Sequence, residues 1–442
     1  MITRDFYILA FTAITCFLQT ILCSSSTSTT SAESEILILP LKTQEIPSVS
    51  KLPFRHNVTL TVSLAVGSPP QNVTMVLDTG SELSWFHCNT TTQNTTTTTT
   101  SNSFDPSRSG SYSPVHCSSP VCTNRTRDFV IPASCDPNDL CHATLSYADF
   151  SSSEGNLASD NFYIGSSNVS ALIFGCMGST FSSNSDEDAK TTGLMGMNRG
   201  SLSFVSQMAF PKFSYCISGS DLSGVLLLGE ISNSSLLISP LNYTPLVQIS
   251  MPLPYFDRVA YTVRLEGIKV SDKILNIPGS VFVPDHTGAG QTMVDSGTQF
   301  TFLLGAAYSV LREEFLNKTT GVLRVLEEPD FVFQGAMDLC YRVAMSEEEK
   351  IRKLPRVSLV FDGAEMSVSA ESLLYRAPGQ VRGSDSVYCF TFGNSDLLGV
   401  EAFLIGHHHQ QNMWIEFDLQ RSRIGLAQTR CDLAVQRLGL VV

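Results

Sequence analysis

From Val58 onward, apolar and polar positions alternate: Val58, Leu60, Val62, Leu64 and Val66 fall on one face. A period of two predicts a half-buried β-strand. Gly67-Ser68-Pro69-Pro70 then reads as a turn, and Val73 to Leu77 as the next strand. Most later segments repeat this pattern of short apolar runs punctuated by glycine and proline. Helical periodicity is convincing only over Ala306 to Phe315 and Ser201 to Met208. The class is therefore mainly β. At 442 residues the chain exceeds what one hydrophobic core serves, so two lobes are expected.

The first fifty residues follow another pattern. Arg4 precedes a nearly continuous apolar run from Tyr7 to Leu22, and a serine- and threonine-rich exit begins at Ser24. These are the features of a secretory signal peptide over 1–23. Residues 24–50, with an isolated apolar patch at Ile36 to Leu41 and two prolines, read as a linker or short pro-segment. No other segment is long and apolar enough to span a bilayer, so no stable membrane insertion is expected. Thr90 to Thr100 is almost all threonine and predicts a solvated loop.

The decisive feature is an internal repeat. Met75-Val76-Leu77-Asp78-Thr79-Gly80-Ser81 is echoed by Thr292-Met293-Val294-Asp295-Ser296-Gly297-Thr298. Each copy is an apolar strand ending in Asp-hydroxyl-Gly-hydroxyl. Each is followed, 118 and 111 residues after its aspartate, by the glycine of an apolar pair plus glycine: Leu194-Met195-Gly196 and Leu404-Ile405-Gly406. A duplicated unit implies two related lobes facing each other, here 51–243 and 244–442.

Pairing the two copies would bring Asp78 and Asp295 together. A glycine beside each aspartate leaves its N–H free to approach a carboxylate oxygen, and Ser81 or Thr298 can donate to the outer one. Two adjacent carboxylates cannot both ionise cheaply, so they share one proton and titrate as a pair. One is then a base and the other an acid at the same pH. That combination activates a water against a carbonyl without metal, cofactor or nucleophilic side chain. A single Asp-Thr-Gly would be an ordinary turn; two copies in matching contexts are not explained that way.

Composition refines the picture. A net charge of -13 argues against nucleic acid or anionic membranes as partners. Of twelve cysteines, Cys16 and Cys23 lie in or beside the signal. The other ten, an even number, point to five disulfides in an oxidising compartment. Sequons at Asn57, Asn89, Asn94, Asn124, Asn168, Asn233, Asn242 and Asn317 agree with that compartment; Asn72 is a ninth, beside the strand that carries Asp78. His407-His408-His409 reads as a polar strand whose outer two histidines share a face.

The chain resembles the pepsin-type aspartic proteases, in their atypical nepenthesin-like plant branch. The likeness runs from about Leu52 to Cys431 and rests on Asp78 to Ser81, Trp85, Ser146-Tyr147-Ala148-Asp149, Phe174-Gly175-Cys176, Gly193 to Gly200, Phe213-Ser214-Tyr215-Cys216, Tyr261 to Val270, Asp295 to Thr298 and Leu404-Ile405-Gly406. It implies a bilobal fold with a cleft, Asp78 and Asp295 as the dyad, and Thr79 and Ser296 bonded across the lobe interface. It implies a flap carrying Tyr147, supported by Trp85. It also implies disulfides Cys117–Cys141, Cys122–Cys135, Cys216–Cys431 and Cys340–Cys389, which leaves Cys88 with Cys176. Ala148 stands where many relatives have glycine, and the histidine run replaces an asparagine-led segment. The expected function is that of a monomeric aspartic endopeptidase acting on extended peptide, in the endoplasmic reticulum lumen or outside the cell. The alternative is a non-catalytic binding or inhibitor protein on the same fold. A phospho-aspartyl enzyme would need a parallel α/β sheet and cationic phosphate ligands that the pattern does not offer.

Overall fold

The computed structural model describes residues 36–46, 57–89, 102–165, 167–182, 185–230 and 236–440. The signal-peptide reading over 1–23, the threonine tract, and the sequons at Asn94 and Asn233 lie outside them. Ile36–Val442 forms one compact unit.

The largest sheet among the described residues has fifteen strands. Val58–Val66, predicted from alternation, lies near its middle with Leu60, Val62 and Val66 fully buried. It pairs antiparallel with Gln71–Asp78, whose Val73, Met75 and Leu77 enter the same core. The sheet is not confined to the first half of the chain. Met413–Asp418 pairs with Lys212–Ile217, and Arg423–Gln428 continues outward to Asn242–Pro245. Phe213 and Phe417 stack at 4.4 Å across that junction. The strand Asn242–Pro245 thus runs across the position where a lobe boundary was expected.

Several expectations change. Inside the 24–50 stretch read as a linker, Leu37–Glu45 is a strand between Ser223–Leu228 and Val58–Val66, bonded on both edges. Leu37, Leu39 and Leu41 alternate into the core and are nearly inaccessible to solvent. His407 to Gln410 is a 3₁₀ turn rather than a strand, and His407 and His409 are buried rather than at a polar surface. The helix over Ala306 to Phe315 is found as Gly305–Thr319, and that over Ser201 to Met208 as the shorter Phe204–Met208.

The five disulfides pair Cys88 with Cys176, Cys216 with Cys431 and Cys340 with Cys389. Inside the first-half insert the implied nesting is corrected to a stagger: Cys117 bonds Cys135, and Cys122 bonds Cys141. Register explains it. Cys135 and Cys141 face each other across a short hairpin, and the Cys117 N–H donates to Asp139 of its turn at 3.0 Å. This brings Cys117 to the Cys135 side. The helical turn Val121–Arg125 carries Cys122 to the buried Cys141. Asn57 also departs from expectation as a glycan site: it is buried, and its Oδ1 accepts from Gln334 at 3.0 Å. Asn89, Asn124, Asn168, Asn242 and Asn317 are exposed.

Candidate active site

The sequence repeat is a structural repeat. Gln71–Asp78 runs parallel to Gly193–Gly196, with Gly196 opposite Asp78. Thr292–Val294 runs parallel to Phe403–Ile405 in a five-stranded sheet of the second half. A third strand crosses antiparallel in each case, Trp85–His87 on Gly193–Gly196 and Thr301–Leu303 on Phe403–Ile405. The closing glycines are obligatory: a Cβ at Gly196 would lie 2.6 Å from the Leu83 carbonyl, and one at Gly406 would collide with that of Phe300. Apolar, deeply buried strands therefore deliver both aspartates to the same place.

The two turns are bound to each other. The Thr79 N–H donates to Ser296 Oγ at 3.0 Å, and the Ser296 N–H donates to Thr79 Oγ1 at 2.9 Å. Ser296 Oγ in turn donates to the Leu77 carbonyl at 2.8 Å, and Thr79 Oγ1 to that of Val294 at 3.3 Å. Each carboxylate receives matching donors. The Gly80 N–H reaches Asp78 Oδ1 at 2.7 Å and that of Gly297 reaches Asp295 Oδ1 at 2.9 Å. Ser81 donates to Asp78 Oδ2, and Thr298 to Asp295 Oδ2 at 2.5 Å.

The two inner oxygens converge over these glycines. A Cβ on Gly80 would lie 3.1 Å from both Asp78 Oδ1 and Asp295 Oδ1, and one on Gly297 would strike the Asp78 carboxylate. Any larger residue would wedge the pair apart. Burial pushes the Asp78 carboxyl well above the ordinary carboxylate range, and the neighbouring Asp295 charge raises it further. The hydrogen bonds from Ser81 and Gly80 oppose the rise without cancelling it. One proton is thus retained where two negative charges would otherwise meet.

Asp78, Asp295, Tyr147 and Trp85 line one cleft of about 360 Å³. Tyr147 opens the turn between the hairpin strands Cys141–Ser146 and Ser152–Ile164, and its N–H donates to Ser151 at 3.0 Å. Trp85 Nε1 donates to the Tyr147 hydroxyl at 2.7 Å. The structure therefore brings together the two aspartates, their flanking hydroxyls and the bonded pair Tyr147 and Trp85.

Other residues were not found from the sequence. Gln410 is fully buried; its Nε2 donates to the Ile405 carbonyl at 2.7 Å and the Asp295 carbonyl at 3.4 Å, and its Oε1 accepts from Tyr215 at 2.5 Å. Asn198 Nδ2 supports the first turn by donating to the Gly80 carbonyl at 3.2 Å. Their positions just after the closing glycines were the available signal. Glu82 and Asp257 also line the cleft, and burial pushes the Glu82 carboxyl up to about 7. His87 packs edge-on against Trp85 at 4.9 Å and stands 3.9 Å from Asp188.

The histidine run acts as framework. The His407 N–H donates to the Thr298 carbonyl at 2.9 Å, fastening the closing strand to the second aspartate turn. Both ring nitrogens of His409 lie 2.7 Å from hydroxyls, those of Thr301 and Thr391. Burial holds its ring well below the usual imidazole range, so it stays neutral.

Comparison with known proteins follows the same lines. Residues 60–230 match the family model "Xylanase inhibitor N-terminal", and 260–428 match "Xylanase inhibitor C-terminal". Over 412 residues the chain is 66% identical to Aspartic proteinase PCS1 of Arabidopsis thaliana, covering 91% of this chain and 90% of that one. Aspartic proteinase nepenthesin-1 of Nepenthes gracilis is 31% identical over 375 residues, 84% of this chain and 77% of its own. The crystal structure of soybean Basic 7S globulin shares the fold at a TM-score of 0.63 and 20% identity, covering 90% of this chain and 98% of that one. With 66% identity carried along nearly its whole length, and the paired aspartate turns in place, the chain belongs to the pepsin-like aspartic endopeptidases of the nepenthesin type.

Proposed function

We propose that Asp78 and Asp295 together hydrolyse peptide bonds of an extended polypeptide held in the cleft. The observation that carries this reading is the pair of Asp-hydroxyl-Gly turns cross-bonded through Thr79 and Ser296, with both inner oxygens converging on one point. At acid pH the pair holds one proton. A water between the inner oxygens gives a proton to the ionised carboxylate as its oxygen attacks the scissile carbonyl carbon. The protonated carboxyl simultaneously gives its proton to the carbonyl oxygen. The neutral tetrahedral intermediate collapses as its C–N bond breaks: the amine nitrogen takes a proton from the protonated carboxyl while one hydroxyl of the intermediate gives its proton to the ionised carboxylate. The acid and the amine are released, and the dyad again holds one proton.

Tyr147 and the hairpin turn around it would close over the substrate and exclude solvent, with Trp85 fixing the tyrosine hydroxyl. Extended peptide would bond through its backbone to the cleft walls. The disulfides and the relatives favour an oxidising compartment of the secretory pathway; we read the chain as a monomer of the endoplasmic reticulum lumen or the cell exterior.

Asp78→Asn and Asp295→Asn, assayed on a denatured protein at about pH 4 to 5, test the reading. Each variant is expected to lose about 10³-fold or more in kcat. Cleavage at the wild-type rate by either variant refutes the dyad. Absence of cleavage by the wild type itself would favour the non-catalytic alternative.

A further inference from the structure

Three large apolar side chains stand open at the cleft. Val130 is 85% exposed, Ile131 38% and Phe181 65%, and all three line it. Large apolar side chains left in water on one concave surface mark a contact site rather than a core. Their placement has local causes. Phe129 is buried in the apolar cluster around Cys117, Cys122 and Cys141, and this fixes its neighbours Val130 and Ile131 at the surface. The segment lies inside both loops closed by Cys117–Cys135 and Cys122–Cys141, so its backbone is held from two sides. Phe181 ends the strand Ser167–Phe181 in register with Ser152, the first residue of the strand that leaves the flap turn.

The rim is continuous with the substrate cleft. Tyr147 packs against the same apolar cluster that anchors Phe129. Charge narrows the occupant. Asp149 and Asp188 line the cleft too, and among the described residues no lysine or arginine does, so an acidic side chain is disfavoured there. We propose that Val130, Ile131 and Phe181 form an apolar rim subsite that selects extended polypeptides carrying a large apolar side chain beyond the two residues flanking the cleaved bond. This rests on the proposed peptidase reading and extends it to substrate choice. Because the disulfide-held segment is ordered before substrate arrives, little entropy is lost when the apolar residue docks.

Peptides sharing one cleaved central sequence, with leucine or serine scanned through the outer positions, test this. For the wild type, kcat/KM should favour leucine over serine at one or two outer positions by about tenfold. Phe181→Ser and the Val130→Ser/Ile131→Ser double variant should each shrink that ratio, and the triple variant should bring it close to one. Phe181→Leu, which keeps an apolar side chain, should retain most of it. The same peptides are then titrated by fluorescence anisotropy against the Asp78→Asn protein, with and without the rim substitutions, which reads the rim without turnover. Loss of the leucine preference in that binding assay supports the subsite. A wild-type ratio near one at every outer position, or a preference that survives in the triple variant, overturns it. Cleavage by Asp78→Asn would instead count against the dyad and leave the binding result to stand or fall separately.

Discussion

Ser296→Ala removes the hydroxyl at the centre of the cross-bonded turns. Ser296 Oγ accepts from the Thr79 N–H and donates to the Leu77 carbonyl, and both serine and threonine are essentially inaccessible to solvent. Water cannot replace either partner in so small a space. Orphaning a buried backbone group costs about 1–3 kcal/mol, so two orphaned groups cost about 2–6 kcal/mol. In a protein of this size, whose unfolding entropy is about 0.9 kcal/mol/K, that lowers the melting temperature by about 2–7 °C. The same change loosens the mutual position of the two aspartates. A misplacement of about 1 Å at the chemical centre lowers kcat about 100-fold, with little effect on KM. Calorimetry and single-substrate kinetics on purified protein read both quantities. Ser296→Thr, which restores a hydroxyl of the kind its counterpart Thr79 carries, should recover most of each. If Ser296→Ala melted within about 1 °C of wild type and kept its kcat, the cross-bonds would not hold the site, and the reasoning would fail.

Three further outcomes are expected. Because the Asp78 carboxyl is raised on folding, it binds a proton more tightly in the native state than in the unfolded chain, where it titrates near about 3.9. Its stabilising contribution is present below that pH and is lost as pH rises through the folded value, so Asp78→Asn should raise the melting temperature at neutral pH and leave it nearly unchanged at about pH 3.5, as calorimetry at the two pH values would show. Lys212 is 4% exposed and lies 2.8 Å from Glu230, 3.4 Å from Glu416 and 4.0 Å from Asp418; Lys212→Met removes the cation beside the buried carboxylates of Glu416 and Asp418, which keep Tyr243 and Arg423 as partners, and should cost about 1–3 kcal/mol at neutral pH by denaturant unfolding. Leu39→Ala empties a core position of the strand Leu37–Glu45 and should cost about 2–5 kcal/mol by the same assay, while Edman sequencing of the mature protein should begin at or before Leu37.

Alternation and repetition carried most of the architecture. The period-two run at Val58 to Val66 and the two Asp-x-Gly copies are local patterns, and each became the predicted strand or turn. What the chain order hid depends on partners distant in sequence. Leu37, Leu39 and Leu41 sit in an unbroken apolar run, Ile36 to Leu41, that shows no alternation with polar residues and stands alone behind a serine- and threonine-rich stretch. Only the edges of Ser223–Leu228 and Val58–Val66 make it a strand. The spacing of Cys117, Cys122, Cys135 and Cys141 does not by itself dictate a pairing; the hairpin register decides it. The histidine run looked polar because imidazole is polar. Thr301 and Thr391, which satisfy His409 and allow its burial, lie 108 and 18 residues away. Gln410 was passed over for a related reason, since its partner Tyr215 lies 195 residues away in the first half. Tyr147 and Trp85 owe their place in the expected site to family resemblance, because a hairpin tyrosine and a buried tryptophan are ordinary without the bond between them.

The account rests on a single proton shared by Asp78 and Asp295, and a ¹³C-NMR titration of the aspartate carboxyl carbons observes that proton directly. Signals assigned by loss in Asp78→Asn and Asp295→Asn should show the pair keeping one proton after the exposed aspartates have ionised at about pH 4, then releasing it in a separate step at distinctly higher pH. If both carboxyls instead ionised independently alongside the exposed aspartates, the two would not share a proton, and the proposed division into acid and base would be contradicted.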